Sequence, residues 1–305
     1  MKIAFINIYQ SKVFRGSETF VSELSKRLAK NHEVDVLTSI DTVRIWKKKY
    51  DVIIPTNGRL QAFLVRVITW LYRGKVIISG QSGIGFDDRL NLYSFPDRFV
   101  ALTDYQLTWA KKKNPFVRSI KIPNGVDIKK FQNDESRLAG EKRVLSVGAL
   151  EKNKRHELTI KAVSKIDGAS LKIVGKGSEE KKLQDYGRVC LGGRFQIVSL
   201  PYNQIERVYK SADVFVFPTV PWESFGIVML EAMASGLPVV AGSDPIRREV
   251  VGDAGILADP ADVDNYARAI ERALKTNWGD KPRKQAEKFD WDKIADKYEK
   301  LLNEL

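Results

Sequence analysis

Short apolar runs alternate with longer amphipathic stretches along this whole chain, and that alternation limits the fold more than any other feature. In the first half the expected strands are Lys2–Ile8, Glu33–Leu37, Asp51–Ile54, Lys75–Ser79, Arg98–Leu102 and Ser119–Ile122. Helices are expected between them, over Ser17–Lys30, Arg59–Arg73 and Asp104–Lys113. The second half repeats the pattern, with strands near Arg143–Val147, Ser170–Val174, Phe195–Ser199, Val214–Phe217, Pro238–Val240 and Gly255–Leu257. Strand–helix–strand order with continuous apolar strands argues for parallel sheets covered on both faces. The expectation is an α/β chain of two doubly wound domains in tandem, with ligand crevices at the carboxyl ends of their strands. Periodicity lapses at Gln132-Asn133-Asp134-Glu135-Ser136, which sets the expected domains at 1–133 and 140–288. A last helix follows Phe289, with Asp290 as its N-cap.

A chain of 305 residues is long enough for two cores, and 43% hydrophobic content with interspersed charge marks it as globular. Cys190 is the only cysteine, so no internal disulfide can form and a reducing cytoplasm is the expected compartment. The apolar start at Met1–Tyr9 lacks a small-residue cleavage site and reads as a first buried strand. No apolar run reaches the roughly 20 residues of a membrane-spanning helix. His32 and His156 stand apart from other ligand types, and no Asp-x-Asp directly follows an expected strand. Neither a metal nor another cofactor is expected.

The formal charge of +13 is unevenly spread. Residues 1–133 hold 23 Lys and Arg against 11 Asp and Glu, a net of +12, whereas the remainder holds 28 against 27. That asymmetry points to one basic domain with an anionic partner. Trp46 beside Lys47-Lys48-Lys49 and Trp109 beside Lys111-Lys112-Lys113 suit an anionic membrane surface, although each cluster alone also reads as a solvated helix end. No nucleic-acid-binding motif accompanies the charge, so no nucleic acid partner is expected. Arg59–Arg73 is almost wholly apolar and reads as a crossover helix packed on its sheet.

The densest chemistry lies after Pro221. Glu223 and Glu231 stand eight positions apart, with Phe225-Gly226 between them opening an apolar helix. Gly226 lets the backbone approach a ligand, and the first N–H groups of the helix, at Ile227 and Val228, suit a phosphate. Gly16 and Ser17, after the first strand, either offer donors to a diphosphate or form an ordinary turn. Lys154 follows the strand ending near Gly148 and is placed to meet phosphate, while Arg155 beside it is a second cation or a surface charge. Gly177 closes a Gly-x-Gly turn after a strand. Tyr202 lies in a loop after a strand, and Gln81 opens a glycine-rich loop that comes close to a ligand or moves, its amide able to hydrogen-bond a hydroxyl.

These segments resemble the signatures of the retaining glycosyltransferases of family 4, which have the GT-B fold of two Rossmann-like domains with a cleft between them. Glu223 to Glu231 resembles the Glu-x7-Glu motif, and Asn124-Gly125-Val126-Asp127 with Phe131 resembles Asn-Gly-Val-Asp-x3-Phe. Val147-Gly148-Ala149-Leu150 through Lys154 resembles Val-Gly-Arg-Leu-x3-Lys, and Val174-Gly175-Lys176-Gly177 resembles Val-Gly-x-Gly. The resemblance implies metal-independent transfer of a sugar from a nucleotide-diphospho donor to a hydroxyl acceptor, lipid-linked or glycan, with retained anomeric configuration. It implies catalytic roles for Glu223 and Lys154 and ribose binding by Glu231. Donor contacts would come from Gly16, Ser17, Arg155, Gly177, Tyr202, Phe225, Gly226, Ile227 and Val228. It also implies that residues 289–305 pack back on the first domain. Ala149 stands where a second cation is usual, Arg155 where glycine is usual, and Gln81 where many relatives have histidine. Those departures leave open a nucleotide-sugar or glycan-binding module without catalysis, and a GT-B nucleotide-sugar epimerase is a further alternative.

Overall fold

A computed structural model describes residues 1–10, 16–56, 58, 60–132, 142–201 and 204–305. The chain separates into two compact units. The first comprises Met1–Gly125, Trp222–Phe225 and Trp291–Leu305, and the second Val126–Pro221 and Gly226–Asp290.

In the first unit, β1 (Lys2–Ile6), α1 (Gly16–Leu28), β2 (Glu33–Leu37), α2 (Thr42–Lys48), β3 (Val52–Pro55) and α3 (Leu60–Leu71) follow in order. Then come β4 (Lys75–Ser79), α4 (Phe86–Tyr93), β5 (Arg98–Ala101), α5 (Asp104–Lys113) and β6 (Ser119–Lys121). The strands form one parallel sheet in the order β2-β1-β3-β4-β5-β6. β1 shows why its sequence is apolar throughout. Ile3 and Phe5 enter the core with α1, and Ala4 and Ile6 enter the core on the opposite face. α2 to α5 cover that second face.

The second unit contains β7 (Arg143–Val147), α6 (His156–Ser164), β8 (Ser170–Val174), α7 (Glu180–Leu191), β9 (Phe195–Val198) and α8 (Ile205–Lys210). It continues with β10 (Val214–Phe217), α9 (Ile227–Ala234), β11 (Val239–Ala241), α10 (Pro245–Val251), β12 (Gly255–Leu257), α11 (Val263–Lys275) and α12 (Lys281–Glu287). Its parallel sheet has the order β12-β11-β10-β7-β8-β9. The last helix, α13 (Trp291–Asn303), belongs to the first unit. Trp291, Ile294, Tyr298, Leu301 and Leu302 share one core with Phe5, Phe20 and Leu24. Gly125 lies so close to the Trp291 ring that a Cβ there would stand 2.6 Å from Cδ2.

The apolar segment forms α3 and packs on its sheet as expected. The apolar helix α3 does not bury all its apolar surface: Gln61, Ala62, Val65 and Thr69 face the core, and Leu60, Phe63, Leu64, Val67, Trp70 and Leu71 are exposed. Trp109 is partly buried and packs against the core of the first unit. Trp46 is half exposed and meets the Tyr72 ring edge-on at 6.3 Å.

Candidate functional site

In the second unit the motif residues gather where β7, β8 and β10 end. After β7, Gly148 and Ala149 lead into a short 3-10 turn at Lys152–Lys154. Arg155 ends that turn at φ +54°, a left-handed conformation that glycine adopts without strain. The usual glycine at this place therefore has a backbone reason, and Arg155 carries a charge at the cost of some strain. Lys154 and Arg155 are both partly exposed.

His156 holds this turn from beneath. Its Nε2 lies 3.3 Å from the Ala149 carbonyl and its Nδ1 lies 3.1 Å from Ser146 Oγ. A carbonyl only accepts, so Nε2 carries the hydrogen and Nδ1 accepts from the serine hydroxyl. Burial pushes the imidazole pKa down to about 4, and the nearby Lys154 charge acts in the same direction. Lone histidines in a sequence give no signal of such a role.

After β8, the Gly175 to Gly177 turn runs directly against that segment. A Cβ on Gly177 would collide with the Leu150 backbone, so close approach alone requires glycine there. Leu150 N donates to the Lys176 carbonyl at 2.9 Å, and Ser178 Oγ donates to Glu151 at 2.7 Å. Tyr202 lies outside the described residues.

After β10, Thr219-Val220-Pro221 is clamped by Arg247 from α10. Its guanidinium is fully buried and donates to Thr219 Oγ1 (2.8 Å), the Val220 carbonyl (3.0 Å) and the Pro221 carbonyl (3.2 Å). Asp244 accepts from it at 3.3 Å, and the Phe217 ring lies 5.5 Å beneath. Val220 N donates to the Asn153 carbonyl at 3.1 Å, tying this segment to the lysine turn. Gly226 then starts α9 at φ +87°, where a side chain would also strike Phe217 and Met229. Ile227 is buried and Val228 is partly exposed at the first turn. Glu231, only 4% exposed, accepts from Tyr209 OH at 2.7 Å. Neither Arg247 nor Tyr209 is marked by any motif.

The first unit assembles a second group. The Trp222–Phe225 segment, with Glu223 partly exposed and Phe225 buried, lies against the Gly80–Gly85 loop. At Gly83 an added Cβ would stand 2.9 Å from the Trp222 carbonyl and 3.1 Å from Ser224 Cα. Below this loop, Asp88 accepts from Asn91 Nδ2 (3.1 Å) and Gln106 Nε2 (2.9 Å), and Gln106 also donates to the Gly80 carbonyl at 2.8 Å. Burial pushes the Asp88 carboxyl up to about 8, against the hydrogen bonds that favour its charge. Gln81 is engaged by its neighbours: its amide exchanges two hydrogen bonds of 2.9 Å with Asn124 and donates to Ser79 Oγ. Gly16 and Ser17 begin α1, and Ser17 Oγ donates to Glu18 Oε1 at 3.0 Å. Glu18 is buried, with Asn7 Nδ2 on Oε1 at 3.2 Å and no partner on Oε2 among the described residues.

Two α/β units, each with six parallel strands, have the architecture of the GT-B glycosyltransferases. The Anabaena protein HepE in complex with UDP-glucose matches with a TM-score of 0.85 over all of both chains at 19% identity. Sucrose-phosphate synthase from Thermosynechococcus elongatus matches at 0.79, covering this chain fully and 98% of that one, at 20% identity. Likeness at such identity is one of fold. The family pattern of glycosyl transferases group 1 matches residues 127–292, just over half of the chain, and the chain belongs to that family. An uncharacterized glycosyltransferase of Methanocaldococcus jannaschii is 37% identical over 212 residues, 63% of this chain and 48% of that protein. The phosphatidyl-myo-inositol mannosyltransferase of Mycolicibacterium smegmatis is 30% identical over 58% of this chain and 50% of its own length. The chain thus spans about half the length of these curated relatives.

Proposed function

We propose that the protein transfers a hexosyl group from a nucleotide-diphospho-sugar to the hydroxyl of a lipid-linked or glycan acceptor, retaining the anomeric configuration without a metal. The observation that carries the reading is the match to group 1 glycosyl transferases across the segment that contains Lys154, Glu223 and Glu231. UDP is the nucleotide to test first, because HepE binds UDP and UDP-glucose on the same fold. In this reading the backbone at Ile227 and Val228 binds the diphosphate at the positive end of α9. Lys154 neutralises charge as the bond between the anomeric carbon and the phosphate oxygen breaks. Glu223 orients the donor sugar, and Glu231 holds the ribose hydroxyls. The acceptor meets the basic first unit.

A binding module without turnover is the second reading. It is favoured by Ala149 and by the Gln81 amide, which is committed to Asn124. Thermal shift with uridine, guanosine and adenosine diphospho-sugars identifies the donor, since a ligand bound only to the folded state raises Tm. Donor hydrolysis or transfer by the wild type, abolished in Glu223→Ala with Tm unchanged, supports the enzyme. A donor-induced Tm shift without hydrolysis or transfer to any offered acceptor supports the module. Parental turnover by Glu223→Ala overturns the assignment of that residue.

A further inference from the structure

α2, α3, α4 and α5 cover one face of the first sheet, each sending residues into the core on that side: Ile45, then Ala62 and Val65, then Leu92, then Ala110. On the opposite face, α1 and α13 carry ion pairs such as Arg27–Asp292 at 2.7 Å. The outer side of the four-helix face has another character. On α3 the exposed residues are Leu60, Phe63, Leu64, Val67, Trp70 and Leu71, with Leu60 78% and Trp70 72% exposed. Their spacing of three and four is that of the apolar face of a helix, yet this is the face turned away from the core. α4 adds Phe86, Leu90 and Tyr93, and Phe116 beyond α5 is exposed as well. A large exposed apolar area of this kind marks an interaction surface.

Charge identifies what covers it. Exposed basic residues lie on the same helices or next to them: Lys47 and Lys49 at the end of α2, Arg73 after α3, Arg89 on α4, and Lys111–Lys113 at the end of α5. The acidic residues nearby are largely engaged. Asp97 is paired with Arg66 at 2.7 Å, and Asp104 with Lys121 at 2.6 Å. A second copy would bring two surfaces from the same +12 segment together, which repel. An anionic lipid surface supplies both the missing charge and the apolar layer.

We propose that this face docks on an anionic membrane, with α3 lying in the interface, its apolar row among the outer acyl segments and the flanking Lys and Arg at the headgroup phosphates. Twelve residues of helix reach roughly 18 Å, well short of a bilayer core. No helix among the described residues is long and apolar enough to cross a membrane, so α3 lies on the surface. Docking deepens the acceptor side of the proposed function and rests on it only for the reason a membrane is needed. Its test uses neither donor nor turnover, so either can fail alone.

The test is sedimentation of the whole protein with vesicles of phosphatidylcholine, or of equal parts phosphatidylcholine and phosphatidylglycerol, at low and high salt. The expected result is binding that needs phosphatidylglycerol and weakens with salt. Substituting Phe63→Gln, Val67→Gln and Trp70→Gln together should cut partitioning about tenfold or more while leaving Tm unchanged, because these side chains are already exposed. Brominated acyl chains should quench part of the tryptophan emission, and Trp70→Phe should remove most of that quenching. Glu223→Ala should bind vesicles as the wild type does. Three results would overturn the proposal: no binding to anionic vesicles at low salt, equal binding by the triple variant, or a dimer in sedimentation equilibrium that the triple variant abolishes.

Discussion

Tyr209 donates its hydroxyl hydrogen to Glu231 Oε2 over 2.7 Å, inside the second unit where both side chains are buried. Tyr209 is itself held edge-on against Phe131, with ring centres 5.7 Å apart, and tilted against Phe215 at 5.8 Å. Phe131, which closes the Asn-Gly-Val-Asp segment, thus supports the residue that orients Glu231. Tyr209→Phe keeps the ring packing and removes one hydrogen bond to a carboxylate, worth about 1.5–3 kcal/mol. In the proposed reading, affinity for the donor nucleotide, measured by calorimetry with UDP first, should fall about tenfold or more, with kcat changed much less. Unchanged affinity would separate Glu231 from nucleotide binding.

Lys154 and Arg155 are adjacent and predicted to behave oppositely. Lys154→Ala should lower kcat by about a hundredfold to a thousandfold, as expected for a group that stabilises developing charge. Arg155→Gly relieves a left-handed residue and should raise stability by up to about 1 kcal/mol in urea unfolding. Its turnover should stay within a few-fold of the wild type. The reverse ranking in steady-state kinetics would make Arg155 the working cation.

Arg247 organises the segment that leads into Glu223. Arg247→Met leaves Thr219 Oγ1 and two carbonyls without their buried donor and should cost about 3 kcal/mol or more. Arg247→Lys keeps the charge but replaces a planar fork by a point donor. It should be the milder variant in denaturant unfolding and still lose kcat. A stable Arg247→Met with parental turnover would show that the clamp is dispensable.

His156 makes stability depend on pH. Its folded pKa of about 4 lies below the ordinary value of 6.5, so at intermediate pH the unfolded chain takes up a proton that the folded chain refuses. Its contribution is full above about pH 6.5, declines as pH falls, and is lost below about pH 4, with a total on the order of 3 kcal/mol. Urea unfolding at pH 7, 5.5 and 4 should show this decline in the wild type. In His156→Gln, which cannot titrate, that part of the slope should vanish.

The strands β4, β7 and β10 stand where their apolar runs placed them, because a strand buried on both faces leaves little room for polar residues, and the partly exposed β2, β8 and β12 keep their expected bounds as well. β11 begins one residue later than expected, at Val239, since Pro238 has no N–H to give a ladder. The outward face of α3 could not be read from sequence. A helix that is apolar on nearly every side, with Gln61 and Thr69 turned to the core, does not say which side meets water. Glu223, Glu231 and Lys154 stand out in the sequence because their motifs are local. Arg247, Tyr209, His156 and Asp88 do not, because each acquires its role from partners 10 to 28 residues away that only the fold brings near.

The placement of α13 also governs the order in which this protein can be made. Its residues complete the core around Phe5 and Phe20, but the ribosome releases them only after every residue of the second unit. A nascent first unit therefore waits with that side of its sheet covered by α1 alone, while the second unit has all its strands before α13 emerges. A chain cut just before Trp291 would keep both sheets and lose part of the cover of one, so proteolysis of such a product should begin in the first unit.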